Sequence, residues 1–363
     1  MKKRLKTVVC GTTFGEFYLK ALEEAELDFQ IVGIIGRGSE RTLNFSKKYN
    51  VPLYLNIGEL PLDVDLACVI VRSEVTGGDG TELCAALLNR GIHVIQEQPV
   101  YQKHLYRCYK IAREKKLIYL TANLYSNLSN MESFAMYAKK LNELSKLEYI
   151  SASFSTQLSY IALDLLAICG ISGDLKLDNG VIKGLGPFDI LCGKIRSIPI
   201  LIEFNNQLNP QFPDYNMHLM YSFKFYYEDG VLLISDASGD VIWRPRTYIK
   251  EAKADVDIGK ETIYEVLNSL KKTSISDFFQ THWIDSIKAE LIKMKKYIAD
   301  GNLDVQRVNR ELSTSKKWEI LQKKAGYAKF IETNKNKLLF LDDIKNFKDL
   351  ENTFFNSYFT MIV

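Results

Sequence analysis

A loop near the start of the chain is arranged to hold an anion. Cys10-Gly11-Thr12-Thr13-Phe14-Gly15-Glu16 follows the apolar run 5–10 and opens a stretch with helical spacing, residues 15–26. Strand, glycine turn and helix N-terminus are the parts of a dinucleotide pyrophosphate site, where backbone N–H groups and the helix dipole face negative charge. The letters depart from G-x-G-x-x-G, because Thr13 and Glu16 stand where glycines are expected. A lone Gly-x-x-x-Gly reads as a tight turn; the strand–loop–helix setting turns the reading toward a nucleotide. Gly11, Thr12, Thr13, Phe14 and Gly15 are therefore assigned to the cofactor. The next apolar run, 29–35, ends at Gly36-Arg37-Gly38-Ser39-Glu40-Arg41. NAD sites place an acidic residue there for the ribose 2′-OH. Arg37 and Arg41 around Ser39 suit a 2′-phosphate instead, through charge-assisted hydrogen bonds. The expected cofactor is NADPH, with Arg37, Gly38, Ser39 and Arg41 as contacts. Arg72 and Ser73, at the end of the run 66–71 and before the glycine-rich stretch 76–80, join them.

Other chemistries find less support. The histidines His93, His104, His218 and His282 show no metal-ligand spacing, and no metal is expected. The six cysteines form no C-x-x-C and sit among apolar neighbours, so they read as buried free thiols. Lys plus Arg numbers 47 against 44 for Asp plus Glu, a net +3 that argues against a dedicated nucleic-acid binder. No apolar run approaches the roughly 20 residues of a membrane helix. Only Val8-Val9-Cys10 follows the basic N-terminus, too little for a signal peptide. A cytoplasmic protein without membrane or nucleic-acid partners is expected.

The elements that must position these groups divide the 363 residues. Through about residue 125, apolar runs (5–10, 29–35, 66–71, 92–96, 118–122) alternate with helical stretches (15–26, 39–49, 80–90, 103–116), which implies βαβ units around a buried parallel sheet. A helix follows at 130–144, then β-type runs at 147–154, 198–204, 218–227 and 231–235, the last two joined by an Asp229-Gly230 hairpin turn. The expected fold is α/β then α+β: an N-terminal Rossmann domain over 1–125 and an α+β domain over 126–312 with a mostly antiparallel open sheet. Residues 313–363 are expected as C-terminal helices and a Lys/Asn-rich tail without assigned function.

Gln96-Glu97-Gln98-Pro99-Val100 resembles the glucose–fructose oxidoreductase/inositol dehydrogenase superfamily, which carries Glu-Lys-Pro at this point. Here the lysine is Gln98. A closer resemblance is to the thiazolinyl imide reductases of siderophore assembly, those of the yersiniabactin and pyochelin pathways. It is carried by residues 9–15, 36–41, 68–73, 91–100 and Asn123-Leu124-Tyr125, and by 205–210, 213–219 and 239–245 in the second domain. It covers about residues 5–300.

The resemblance implies NADPH-dependent reduction of a thiazoline C=N to a thiazolidine, on an intermediate tethered to a carrier domain of a nonribosomal peptide synthetase. Hydride to carbon leaves the nitrogen needing a proton, so a general acid must lie within reach. The family offers a histidine at the position of Gln98 and a tyrosine at that of Tyr125. The chain keeps only the tyrosine, which makes Tyr125 the expected donor, directly or through an oriented water. Gln98, with Glu97, would then position nicotinamide or substrate. Asn123, two residues earlier and on the same side if the segment is extended, and His218 are weaker substrate candidates. Trp243 and Trp283 read as core. A homodimer through the second domain's sheet is expected by analogy, and the Lys-rich stretches 288–296 and 316–324 are candidate carrier contacts. Two alternatives stand beside this reading. One is a sugar or inositol dehydrogenase, disfavoured by Gln98 and by the lack of a histidine after Asp164. The other is a non-catalytic NADPH-binding protein associated with a synthetase.

Overall fold

Apolar runs without alternation are buried on both faces, and the chain uses them as parallel strands. The computed structural model describes residues 4–72, 77–211, 213, 217–247, 263–270 and 273–332. The first domain runs β1 (Leu5–Cys10), α1 (Gly15–Glu24), β2 (Phe29–Ile35), α2 (Glu40–Tyr49), β3 (Leu53–Tyr54), β4 (Leu66–Val69), α3 (Gly80–Asn89), β5 (His93–Gln96), α4 (Gln102–Lys115) and β6 (Tyr119–Thr121). Its strands pair in the parallel order β3-β2-β1-β4-β5-β6. This is a Rossmann order, and its crevice opens past the carboxyl ends of β1 and β4, where the order reverses.

A short 3-10 turn, Leu124–Asn127, leads into α5 (Ser129–Leu144), β7 (Leu147–Ser155) and α6 (Ser159–Ile168). Then come β8 (Leu175–Leu185), β9 (Phe188–Ile195), β10 (Ile198–Asn205), β11 (Gln207–Leu208), β12 (Tyr221–Tyr227), β13 (Gly230–Ile234), β14 (Val241–Pro245) and β15 (Glu265–Asn268). Eight of these form one sheet, ordered β15-β14-β13-β12-β7-β10-β9-β8. It is antiparallel except for β7 beside β10. The hairpin at Asp229-Gly230 forms as expected, with Tyr227 opposite Gly230. The alternating Tyr221, Phe223, Phe225 and Tyr227 are buried, while Lys224 and Tyr226 face out. The long β8–β9 hairpin was not expected. Asp178-Asn179-Gly180 and Gly184 to Gly186 break its apolar pattern, and pairing with β10 supplies what local propensity lacks.

The described residues end with α7 (Ile275–Asp277), a π-helical turn Phe278–His282, α8 (Trp283–Asp300), α9 (Val305–Ala325) and β16 (Lys329–Phe330), which pairs with β11. Here the structure corrects two expectations. No break falls near residue 312, because α9 runs through it. And α9 belongs to the core: Trp318 and Leu321 are buried, and the Trp318 indole donates to Ser159 Oγ at 3.0 Å. The helix also grips the first domain. Ser315 donates to the Val100 carbonyl, and Glu319 accepts from the Gln102 backbone N–H that opens α4. Among the cysteines Cys192 departs from expectation, lying exposed on β9 while the other five are buried.

At the centre of these contacts Arg307 is 7% exposed, Glu290 3% and Glu311 1%. Arg307 bonds both carboxylates and the Thr121 carbonyl. Glu311 accepts in turn from Thr121 N (2.9 Å), Thr121 Oγ1 (2.7 Å) and Tyr109 Oη (2.6 Å). Removing the guanidinium leaves two carboxylates buried without a countercharge. Arg307→Leu is expected to lower stability by about 3–5 kcal/mol, read as a fall in the urea midpoint. An unchanged midpoint would mean the network relaxes at no cost.

Candidate nucleotide and substrate site

Gly11 leaves β1 at φ +85°, a left-handed conformation that favours glycine. A Cβ there would stand 2.6 Å from the Ile70 carbonyl oxygen and 2.7 Å from Val71 Cγ1. The turn therefore passes tightly over the end of β4. The glycine that lets α1 lie close to β1 is Gly15, whose Cβ would sit 3.2 Å from Val9 Cγ1. That position does the packing work for which the motif's last glycine is usually needed, so Glu16 is free to carry a charge. Thr12 is buried and Thr13 exposed. These features fit a dinucleotide: a tight turn, a close helix and open backbone at the N-terminus of a ten-residue helix.

Ser39 caps α2, accepting from Thr42 N at 3.3 Å, with Gly38 before it at φ +75°. Arg41, in the first turn of α2, reaches back over the loop. Its Nε donates to the Thr12 carbonyl at 3.0 Å, and its Nη2 lies 3.2 Å from Glu16 Oε2. Arg37 pairs with Asp79 at 3.0 Å, both well exposed. Two cations thus stand at the end of β2, held by weak surface partners. The exposed Arg72 gives its backbone carbonyl to Gly80 N, and the approach at Gly78 is close enough that a Cβ would collide with that carbonyl. Ser73 lies outside the described residues.

Past β5, Glu97 N–H bonds the Val69 carbonyl, and Glu97 Oε2 accepts from Tyr18 Oη at 3.3 Å. Gln98 follows, its Oε1 buried with no hydrogen-bond partner among the described residues. Past β6, the segment with Asn123 and Tyr125 is not extended, as expected, but a 3-10 turn. Asn123 Oδ1 caps it by accepting from Ser126 N, while its Nδ2 donates to Asp164 at 2.8 Å. Asp164 is held by Arg310 and Thr314 of α9. Asn123 is therefore engaged at both ends of its amide. The turn puts Tyr125, 5% exposed, edge-on to Tyr221 (6.0 Å between centroids) and Trp283 (5.7 Å). Trp283 also meets Phe14 and Phe17, at 5.6 and 5.4 Å. One aromatic wall thus joins the nucleotide loop to Tyr125.

The structure brings together Gly11 to Gly15, Arg37 to Arg41, Arg72, Glu97, Gln98 and Tyr125 along the carboxyl edge of one sheet. His218 is exposed, its ring 6.3 Å from Phe188. Sequence reasoning missed Tyr221. Its hydroxyl is buried without a hydrogen-bond partner among the described residues, and burial, then the nearby Tyr125, push its pKa well above the ordinary value. Its alternation with Phe223 and Phe225 reads only as core, so no local signal marks it.

Two of the left-handed glycines, Gly11 and Gly91, give a direct check. Gly91 has φ +86° but nothing within 4 Å of its Cβ position, so Gly91→Ala bears only the backbone cost, about 1–2 kcal/mol. Gly11→Ala adds a collision with β4. Its melting temperature should fall further than that of Gly91→Ala, and only it should lose nucleotide binding. Equal losses would remove the close approach from the account.

Comparison with known proteins agrees with this arrangement. The profile of the oxidoreductase family with an NAD-binding Rossmann fold matches residues 5–123. A second profile, thiazolinyl imine reductase Irp3-like, C-terminal, matches residues 145–244. No curated protein matches the chain. Among solved structures, the chain is similar to GenD2 from gentamicin A biosynthesis in complex with NAD, with TM-score 0.66 and 10% identity over 90% of this chain and 95% of that one. KijD10, a 3-ketoreductase from Actinomadura kijaniata with NADP and TDP-benzene, gives 0.65 and 14% over 91% and 100%. A dehydrogenase from Clostridium difficile gives 0.64 and 13% over 88% and 99%. At such identities the likeness is one of fold. One profile thus falls on the Rossmann domain and the other on the sheet of the second: the first domain matches the oxidoreductase family with an NAD-binding Rossmann fold, and the second the thiazolinyl imine reductase Irp3-like C-terminal model.

Proposed function

We propose that the protein is an NADPH-dependent reductase of a thiazoline C=N, acting in the cytoplasm on an intermediate tethered to a nonribosomal peptide synthetase carrier domain. The observation that carries this reading is the match of the second domain to the thiazolinyl imine reductase Irp3-like profile. Gln98 supports it against a sugar dehydrogenase, since an amide exchanges no proton at neutral pH.

Bound NADPH supplies the hydride. The chain's own residues place the reacting groups and supply the proton. The Gly11 turn and the N-terminus of α1 receive the pyrophosphate, while Arg41 and Arg37 give up their surface contacts for the 2′-phosphate. Gln98 Oε1, an acceptor without a partner among the described residues, takes an N–H from nicotinamide or substrate. The Tyr125 hydroxyl donates to the imine nitrogen. Tyr221 and Trp283 pack its ring on two sides and exclude water, which strengthens hydrogen bonds at the site.

Tyr125→Phe should reduce kcat by about 10²- to 10⁴-fold with the NADPH Kd unchanged, measured with a thiazoline thioester mimic. Full turnover by this variant would end the assignment of Tyr125 as the acid. Arg41→Ala should weaken NADPH by roughly tenfold, the scale of one charge-assisted hydrogen bond, and leave NADH unaffected. A parallel loss for both nucleotides in calorimetry would point to collapse of the loop instead. NADPH binding without turnover on any imine would favour the non-catalytic alternative.

A further inference from the structure

A carrier-tethered substrate requires a place for the carrier to dock. Of the eight lysines in 288–296 and 316–324 four are engaged, while Lys296, Lys323 and Lys324 have no ion-pair partner among the described residues. Lys288 pairs with Glu24 and Asp285, Lys295 with Asp28, and Lys316 with Asp174, while Lys293 bonds Asn127. A different helix also carries unpaired charge. On α4, Lys103, Lys110 and Arg113 are exposed and have no carboxylate partner among the described residues. At 100° per residue they fall, with Tyr106, within about 80° of one another, and the exposed Glu114 borders them four residues after Lys110. Tyr106 is 65% exposed, an aromatic ring in the middle of a basic stripe.

Beside the stripe lies a cleft of about 850 Å³ between α4 and α9, lined by Tyr101, Gln102, Lys103, Tyr106, Leu312 and Glu319. Tyr101 is three residues from Gln98, at most about 11 Å of chain. The cleft therefore begins at the same sheet edge as the candidate site. Its Glu319 is occupied as the cap of α4.

We infer that the α4 stripe is the docking face for an acidic carrier domain, and that the α4–α9 cleft receives the arm bearing the substrate. This rests on the carrier-tethered reading proposed above. Charge complementarity selects the partner: three unpaired cations on one helix face attract an acidic helix and make capture salt-dependent.

The test uses the full chain with the triple charge reversal Lys103→Glu, Lys110→Glu, Arg113→Glu, and Lys139→Glu with Lys140→Glu on α5 as a remote control. Two substrates are compared: a peptidyl carrier domain loaded with a thiazoline, and a small thiazoline thioester. Binding of the loaded carrier is followed by calorimetry. The triple variant should raise KM and Kd for the loaded carrier at least tenfold, with kcat and activity on the small thioester unchanged. The parent's KM should rise with salt. Equal carrier binding and KM in parent and triple variant would place docking elsewhere and overturn the inference, while reduction of the small thioester would leave the function standing. If the parent reduces neither substrate, the function fails. Calorimetry then decides the docking face alone: it stands if the parent binds the carrier and the triple variant does not, and falls otherwise.

Discussion

Two buried carboxylates, Glu290 and Glu311, share one guanidinium, and the placement of the candidate catalytic group descends from that contact. Burial alone would push protons off Arg307, but Glu290 and Glu311 outweigh it and hold the group charged. Such a cluster is costly to desolvate, and removing one member is worse than never having built it. Its geometric consequence is local. Arg307 takes the Thr121 carbonyl, and Glu311 takes the Thr121 amide and hydroxyl, so the last residue of β6 is fixed on three sides. Two residues later Asn123 is fixed by Asp164, itself held from α9 by Arg310 and Thr314. Tyr125 follows on a turn with both anchors upstream of it. A C-terminal helix thereby sets a side chain that belongs, in sequence, to the end of the first domain.

The second support is aromatic. Trp283 opens α8 directly after the π-helical turn, and its ring meets Phe14, Phe17, Phe279 and Tyr125. Edge-to-face pairs of this kind contribute about 0.5–1.5 kcal/mol each beyond burial. Phe14 belongs to the nucleotide loop and Tyr125 to the proposed proton donor. A ligand on the loop and a substrate at the tyrosine would therefore press on the same indole, whose Nε1 has no partner among the described residues.

What was legible in the sequence is what local periodicity and turn chemistry encode. The parallel strands, the Gly11 turn and the Asp229-Gly230 hairpin all follow from a few neighbouring residues. The rest depends on contacts between distant parts of the chain. Arg307, Glu311 and Lys317 are buried on α9, yet charges at helical spacing in a Lys-rich stretch read as a solvated face. Burial pushes the Lys317 amine down, a displacement no composition count can show. Asn123 is a substrate candidate by its spacing from Tyr125, whereas the partner of its Nδ2, Asp164, lies far along the chain on another helix. The β8–β9 hairpin is held by β10 against a pattern broken by glycines. The resemblance to siderophore-assembly reductases located Gln98 and Tyr125, but not Tyr221, which only the packed structure sets against Tyr125.

Gln98 is where the proposed chemistry is most constrained. A lysine or histidine at this point could both orient a substrate and exchange a proton, whereas glutamine can only orient. Its buried Oε1 has no partner among the described residues, an arrangement that costs free energy unless a ligand completes it. An acceptor atom selects a donor, so it favours the carboxamide of nicotinamide or an N–H of substrate over an imine nitrogen, which is itself an acceptor. The proton for that nitrogen must then come from elsewhere. Tyr125 is the candidate hydroxyl at the same sheet edge, and the buried Tyr221, kept neutral by its surroundings, adds no negative charge beside it. The loss of an ionisable group at residue 98 thus concentrates the proton chemistry on a residue positioned by the buried Arg307 cluster.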